Sequence, residues 1–263
     1  MKFAIVNGQR TEAQTELSGE CPVCKAALVA KCGEIRIWHW AHIGKRMCDH
    51  WWEPETDWHR TWKGHFPAEW QEFIQFAPDG EKHIADVKTE QGWVLEFQYS
   101  FLKPEERRAR NAFYPQLVWV VNGMRRPRDR DQFARALEAR RQLSPEGMLS
   151  VPTDECALIK EWTNTSIPVF FDFGEEAPLW GLLPGAPNGL AYIGTFPRAV
   201  FVDLHKGGTT QAGLDFTSLM KVLNDRIAIH LAECKAREQI QLAGQNRYDP
   251  LRMFVRPRRH RRF

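Results

Sequence analysis

No stretch of this sequence approaches the ~18 consecutive apolar residues that a membrane-spanning helix needs. A secretory leader is not visible either: residues 2–6 reach a turn after five positions, too few for a signal core. Without such a leader, the six cysteines do not read as a disulfide framework, and a reducing cytoplasm is the expected setting. Charge of one sign is also lacking, since 36 Lys and Arg stand against 33 Asp and Glu for a net +3. The total therefore points to no partner. Its distribution says more, because residues 251–263 carry six arginines and no acid, a composition suited to salt-sensitive contact with nucleic acid or simply to solubility. What remains is 263 residues, 43% of them hydrophobic, enough to fill one large domain or two smaller ones.

The most informative stretch is residues 82–98. Ile84, Val87, Trp93, Val94, Leu95 and Phe97 are strand formers, and Gly92 closes a three-residue loop at the position that favours left-handed backbone. If Thr89 faces Trp93, each cross-strand pair sums to 182, so Asp86 stands opposite Glu96 and Gln98 follows on the same face. Opposed carboxylates destabilise a hairpin unless something compensates them. The pattern reads either as two solvated acids or as a clasp on a cation, for which Mg²⁺ (or Mn²⁺) is suited by its preference for oxygen ligands.

Upstream, Cys21 and Cys24 are followed by His39 and His42, the two-thiolate, two-imidazole spacing of a structural Zn²⁺ site, with Cys32 and Cys48 as substitute ligands. The alternative is a metal-free β-domain; a redox pair is disfavoured because no β-α-β pattern surrounds it. Asn7 and Gly8 predict a small hairpin before it. Seven of the eleven tryptophans fall between Trp38 and Trp70, a density that reads as core more than as a base-stacking surface. Residues 55–63 predict a short helix on which Trp58 and Trp62 share one face and Glu55, His59 and Lys63 another. That polar stripe is either solvated or turned toward the metal.

Residues 70–77 predict a strand, 104–114 a helix and 116–122 a buried strand, giving the order α-β-β-β-α-β. Arg110 and Tyr114, four apart on the second helix, either contact a phosphate or form ordinary surface. A charged helix over 124–144 reads as a connector. Strands are expected at 168–173, 179–183, 190–196 and 199–204, a long helix over 215–242, and buried thiols at Cys156 and Cys234. The expected division is 1–52, 53–124, 125–148 and 149–263.

Taken together, Asp86, Glu96 and Gln98, followed by Ser100 and a polar helix, resemble the PD-(D/E)XK nuclease core in the Glu-x-Gln version of the CoiA family of competence proteins. The Cys-Pro-x-Cys segment, Gly33, and the closing His39 and His42 resemble that family too, as do the Glu55, His59, Lys63 run and the Arg110, Tyr114 pair. The resemblance is specific over residues 21–122. It implies an α/β (mixed α+β) fold with a restriction-endonuclease-like core, a small zinc-binding β-domain and a C-terminal α+β unit. It further implies Mg²⁺ held by Asp86, Glu96 and His59, catalysis that also involves Gln98, and Lys63, Arg110 and Tyr114 near a DNA substrate. A lysine at position 98 would help a water attack in the wider class, and Gln98 cannot act as a base. The rival expectations are a DNA-binding recombination factor that keeps this fold without cutting, and a zinc-anchored interaction protein.

Overall fold

The computed structural model describes residues 1–44, 49, 51, 53–77, 80–142, 144–163, 165–187 and 189–247. Cys48, Trp52, Pro78, Asp79 and the arginine-rich residues 251–263 lie outside the described residues. Asn7 and Gly8 both adopt left-handed backbone, φ 50° and 79°, the two-residue turn that matches strand twist. They join β1 (Phe3–Val6) to β2 (Gln9–Glu12), and β3 (Ser18–Glu20), β4 (Ala27–Lys31) and β5 (His39–His42) complete a sheet of order β2-β1-β3-β4-β5. Its small core is Ala4, Ala13, Cys21, Leu28 and Trp40.

The second sheet begins after α1 (Asp57–Gly64). Thr56 and His59 form a reciprocal cap at the start of this helix, which satisfies two backbone donors that would otherwise be orphaned. A 3-10 turn at Ala68–Trp70 then leads into β6 (Gln71–Phe76), β7 (Lys82–Lys88) and β8 (Val94–Gln98), followed by α2 (Pro104–Phe113) and β9 (Leu117–Asn122). The expected succession of helix, three strands, helix and strand is thus present. β8 and β9 run parallel, as the intervening helix requires.

The chain continues through α3 (Asp129–Glu138), β10 (Leu149–Pro152), α4 (Ala157–Trp162), β11 (Val169–Asp172), β12 (Leu179–Leu183), β13 (Leu190–Phe196), α5 (Arg198–His205) and α6 (Phe216–Arg247). β11 pairs in parallel with β9. The segment expected as a further unit therefore extends the same sheet, whose order is β10-β13-β12-β11-β9-β8-β7-β6. Alternation along β9 shows the two faces: Leu117, Trp119 and Val121 pack with Tyr114, Phe133 and Trp162, whereas Val118 and Val120 pack with Trp62, Phe201 and Phe216.

Residues 199–204 form helix α5 rather than the expected strand. Phe201, Leu204 and His205 are buried at helical spacing, so one face packs on the sheet, and a short apolar run carries no periodicity that separates the two states. Among the expected core tryptophans, Trp40, Trp51 and Trp62 are buried, while Trp38 is half exposed. Cys156 is buried and Cys234 only partly so.

His205 lies between Phe201 and Phe216, and burial pushes its pKa from 6.5 down to about 4. Above pH 6.5 the ring is neutral folded or unfolded, and the group contributes nothing to the pH dependence. As pH falls toward 4 the unfolded chain takes up a proton that the folded chain refuses, so stability drops by about 3 kcal/mol from this group. Urea unfolding between pH 7 and 4 should show that loss, and His205→Leu should flatten the slope by the same amount. Parallel curves for the two proteins would defeat the assignment.

Candidate functional site

Cys21 and Cys24 sit on a tight turn closed by the Cys21 N–H donating to the Ala26 carbonyl (2.8 Å) and the Lys25 N–H to the Cys21 carbonyl (2.9 Å). Lys25 takes left-handed backbone, φ 62°, which bends the chain back on itself. β5 delivers His42 to this turn, so the ligand atoms of Cys21, Cys24 and His42 lie within 4.8 Å of one another. Cys24 Sγ is 3.3 Å from His42 Nε2. Two thiolates and an imidazole are the donor set that structural Zn²⁺ takes.

His39 does not join them, which corrects the expected four-residue set. It shares β5 with His42 three residues away, and on a strand that spacing places side chains on opposite faces. Its Nδ1 instead meets the Ile37 carbonyl at 2.9 Å. Metal analysis should find about one zinc per chain, lost in Cys21→Ser and retained in His39→Ala. Folded wild-type protein without zinc would overturn this.

Beside its turn the acidic hairpin has the expected register, and the paired ladder ends there, one position short of Asp86 and Glu96. Val87 pairs with Leu95 and Lys88 with Val94, Thr89 N–H donates to the Trp93 carbonyl at 2.8 Å, and Gly92 has φ 87°. At the next position Asp86 Oδ2 accepts the Phe97 N–H at 2.9 Å, so a side chain takes the donor that a ladder carbonyl would otherwise meet. Asp86 and Glu96 line one small cleft, with Glu53, Glu55, His59, Lys63, Glu72 and Arg110 around them. Glu96 is 4% exposed. Burial, and then the neighbouring Asp86, push its pKa up to about 8.

Two cations from opposite sides of the sheet meet these acids. Arg110 on α2 donates to Glu96 Oε2 at 3.0 Å. Lys63 on α1 reaches Glu55 Oε1 (2.5 Å), Glu72 Oε1 (3.3 Å) and Asp86 Oδ1 (3.8 Å). Although burial alone would raise the Glu55 pKa, Lys63 and Arg60 hold it down to about 2. Lys63, Arg110 and Tyr114 are all buried, and burial raises the Tyr114 pKa. The charges of the first two are engaged by carboxylates, and Arg110 and Tyr114 are interior rather than surface residues.

His59 Nδ1 accepts the Thr56 N–H at 3.2 Å, which leaves Nε2 carrying the proton of the neutral ring. That nitrogen lies 3.8 Å from Glu53 Oε2. Gln98 turns its amide toward the same residue, Nε2 donating to Glu53 Oε2 at 2.8 Å and to the Ser100 carbonyl at 3.2 Å. The Ser100 N–H donates to Glu53 Oε1 at 2.6 Å. Gln98 thus organises the cleft wall, and Glu53 is the acid it holds.

Glu53 and Glu72 were not singled out from the sequence. Glu53 precedes the helix in an irregular segment and has no periodic signal. Glu72 had one: Gln71 pairs with Val87 and Phe73 with Ala85, which puts Glu72 across from Asp86, and the same pairing arithmetic carried over the 77–81 turn would have found it. Its backbone is left-handed, φ 46°, unusual for a residue with a side chain. Both carboxylate oxygens are used, Oε1 accepting the Lys2 N–H (2.5 Å) and Oε2 the Phe3 N–H (3.1 Å).

The cleft gathers five carboxylates against the side-chain cations of Lys63 and Arg110. Such a surplus repels phosphate and attracts cations. Among the described residues, Cys21, Cys24 and His42 are the one such trio with ligand atoms within 4.8 Å; the cleft acids are spread more widely around Lys63.

Residues 8–50 match the family model described as Competence protein CoiA, N-terminal domain. The match covers β2 to β5 with Cys21, Cys24 and His42, and it bears out the CoiA-like resemblance over that segment. No curated protein and no solved structure matches the chain. Among the described residues, no helix is long and apolar enough to cross a membrane.

Proposed function

We propose that the cleft is the centre of a metal-dependent DNA nuclease of CoiA-like type, acting on phosphodiesters in recombination, competence or defence within the cytoplasm. The observation that carries this reading is Glu96 Oε1, which is buried without a hydrogen-bond partner beside Asp86 in a carboxylate-rich cleft. An orphaned carboxylate oxygen at 4% exposure costs free energy unless a cation meets it. The order α1, β6, β7, β8, α2, β9 and the CoiA match support the same reading.

Asp86 and Glu96 would hold Mg²⁺ or Mn²⁺ through oxygen donors. Bound there, the ion would supply a Lewis acid that lowers the pKa of a water and offsets charge on the scissile phosphate. The protein's own contribution is positional. Phe97 N–H fixes one oxygen of Asp86, Arg110 fixes one oxygen of Glu96, and Glu53 holds Gln98 and Ser100 in place. His59, which carries its proton on the nitrogen nearer Glu53, is placed to orient that carboxylate rather than to offer a free lone pair.

A second reading, a DNA-binding factor that does not cut, is favoured by two observations. Lys63 and Arg110 already compensate Asp86 and Glu96, and the Gln98 amide is engaged by Glu53. Incubation with labelled single-stranded and duplex DNA in Mg²⁺, Mn²⁺ or EDTA separates the two. Cleavage with either metal and none in EDTA is expected; DNA left intact throughout, yet retained by the protein, would favour the second reading.

A further inference from the structure

Lys63 is an unusual side chain to find where it is. It is 3% exposed, comes from α1, and its ammonium lies among carboxylates from three separate segments: Glu55 ahead of the helix, Glu72 on β6 and Asp86 on β7. Burial alone would lower its pKa, but Glu72, Glu55 and Asp86 together raise it above the ordinary lysine value.

Asp86 belongs to two environments. One oxygen faces Lys63 Nζ at 3.8 Å, and the residue also lines the cleft beside Glu96, whose Oε1 is buried without a hydrogen-bond partner. Two-metal hydrolytic sites share a carboxylate in this manner between ions about 3.5–4 Å apart. Here a lysine ammonium lies on one side of Asp86.

We propose that the Lys63 ammonium stands where a second divalent cation would otherwise bind, so that the cleft takes one exchangeable ion, between Asp86 and Glu96, rather than two. The inference rests on the metal-dependent reading of the cleft for that single ion, and on the Lys63 contacts alone for the filled position. The oxygens around Nζ are spaced for an ammonium, wider than the shell of a small divalent ion. A lysine-free variant would therefore complete its coordination with waters, as Mg²⁺ and Mn²⁺ sites commonly do.

The test counts Mn²⁺ on the full chain with the Cys21, Cys24 and His42 knuckle preloaded with zinc, by equilibrium dialysis read out with electron paramagnetic resonance. Wild type is expected to bind about one Mn²⁺, lost in Glu96→Gln, and Lys63→Gln about two. Mn²⁺ should also raise the melting temperature of Lys63→Gln by more than that of wild type. If Lys63→Gln does not fold, Lys63→Gln with Glu55→Gln removes one of the three acids that lose Lys63 and keeps Glu72 and Asp86 for the gained ion. A folded variant, single or double, that binds no more Mn²⁺ than wild type overturns the proposal. The wild-type count tests the other reading separately: zero ions in wild type with a gain in the variant would remove the Asp86 and Glu96 ion and leave the Lys63 inference standing.

Discussion

Asp86→Asn should abolish Mg²⁺-dependent DNA cleavage, lowering the rate by about 10³-fold or more, because loss of a carboxylate ligand removes several kcal/mol of transition-state stabilisation. Asparagine is the informative substitution. Its amide oxygen can still accept the Phe97 N–H that Asp86 Oδ2 accepts at 2.9 Å, so the local backbone keeps its partner and only the charge is removed. Lys63 retains Glu55 and Glu72 as counter-ions, which protects the fold. DNA binding measured in the same preparation should survive. Cleavage that persists in Asp86→Asn would place the chemistry elsewhere or in a contaminant.

Asp172→Ala should destabilise the protein by about 3–5 kcal/mol, the range seen when one member of a buried ionic cluster is removed. Asp172 Oδ2 accepts both indole N–H groups of α1, Trp58 and Trp62, each at 2.8 Å. Oδ1 takes Arg198 at 2.5 Å and the Gly174 N–H at 3.0 Å. Burial alone would raise the Asp172 pKa, yet these bonds and the Arg198 charge hold it below the usual carboxylate range. Alanine leaves both indole N–H groups and the Gly174 N–H unmatched, and Arg198 keeps only the Gly174 carbonyl. Chemical denaturation should show a lower midpoint with an unchanged slope, and a change under about 1 kcal/mol would mean that the cluster contributes little.

That Asp172 fastens the helix bearing His59 and Lys63 could not be read from the sequence. The turn of the hairpin, from Val87 to Leu95, was legible because a glycine and a short loop set its register, and everything needed lies within a few residues. The knuckle turn was legible for the same reason. Its fourth expected member failed because His39 and His42 were judged by spacing, whereas a strand sorts residues by alternate faces. Long-range pairing is the other limit. Nothing local announces that β11 will lie beside β9, so residues 149–263 read as separate when their strands continue the sheet. The sequence marks Lys63 as a substrate contact, but its three counter-ions arrive from segments that only the folded chain brings together.

Glu72 serves two masters: its carboxylate receives the Lys2 and Phe3 N–H groups that open the first strand, and it also faces Lys63. The knuckle-bearing sheet and the acidic cleft thus share this side chain, as they share Arg60, which reaches both Glu12 and Glu55. Whatever free energy a cleft ligand requires to draw Glu72 away from the first strand must reappear, with equal size, as a change in cleft affinity when that strand is loosened. Chelating the knuckle metal would then register at the cleft, with no residue of the cleft itself altered.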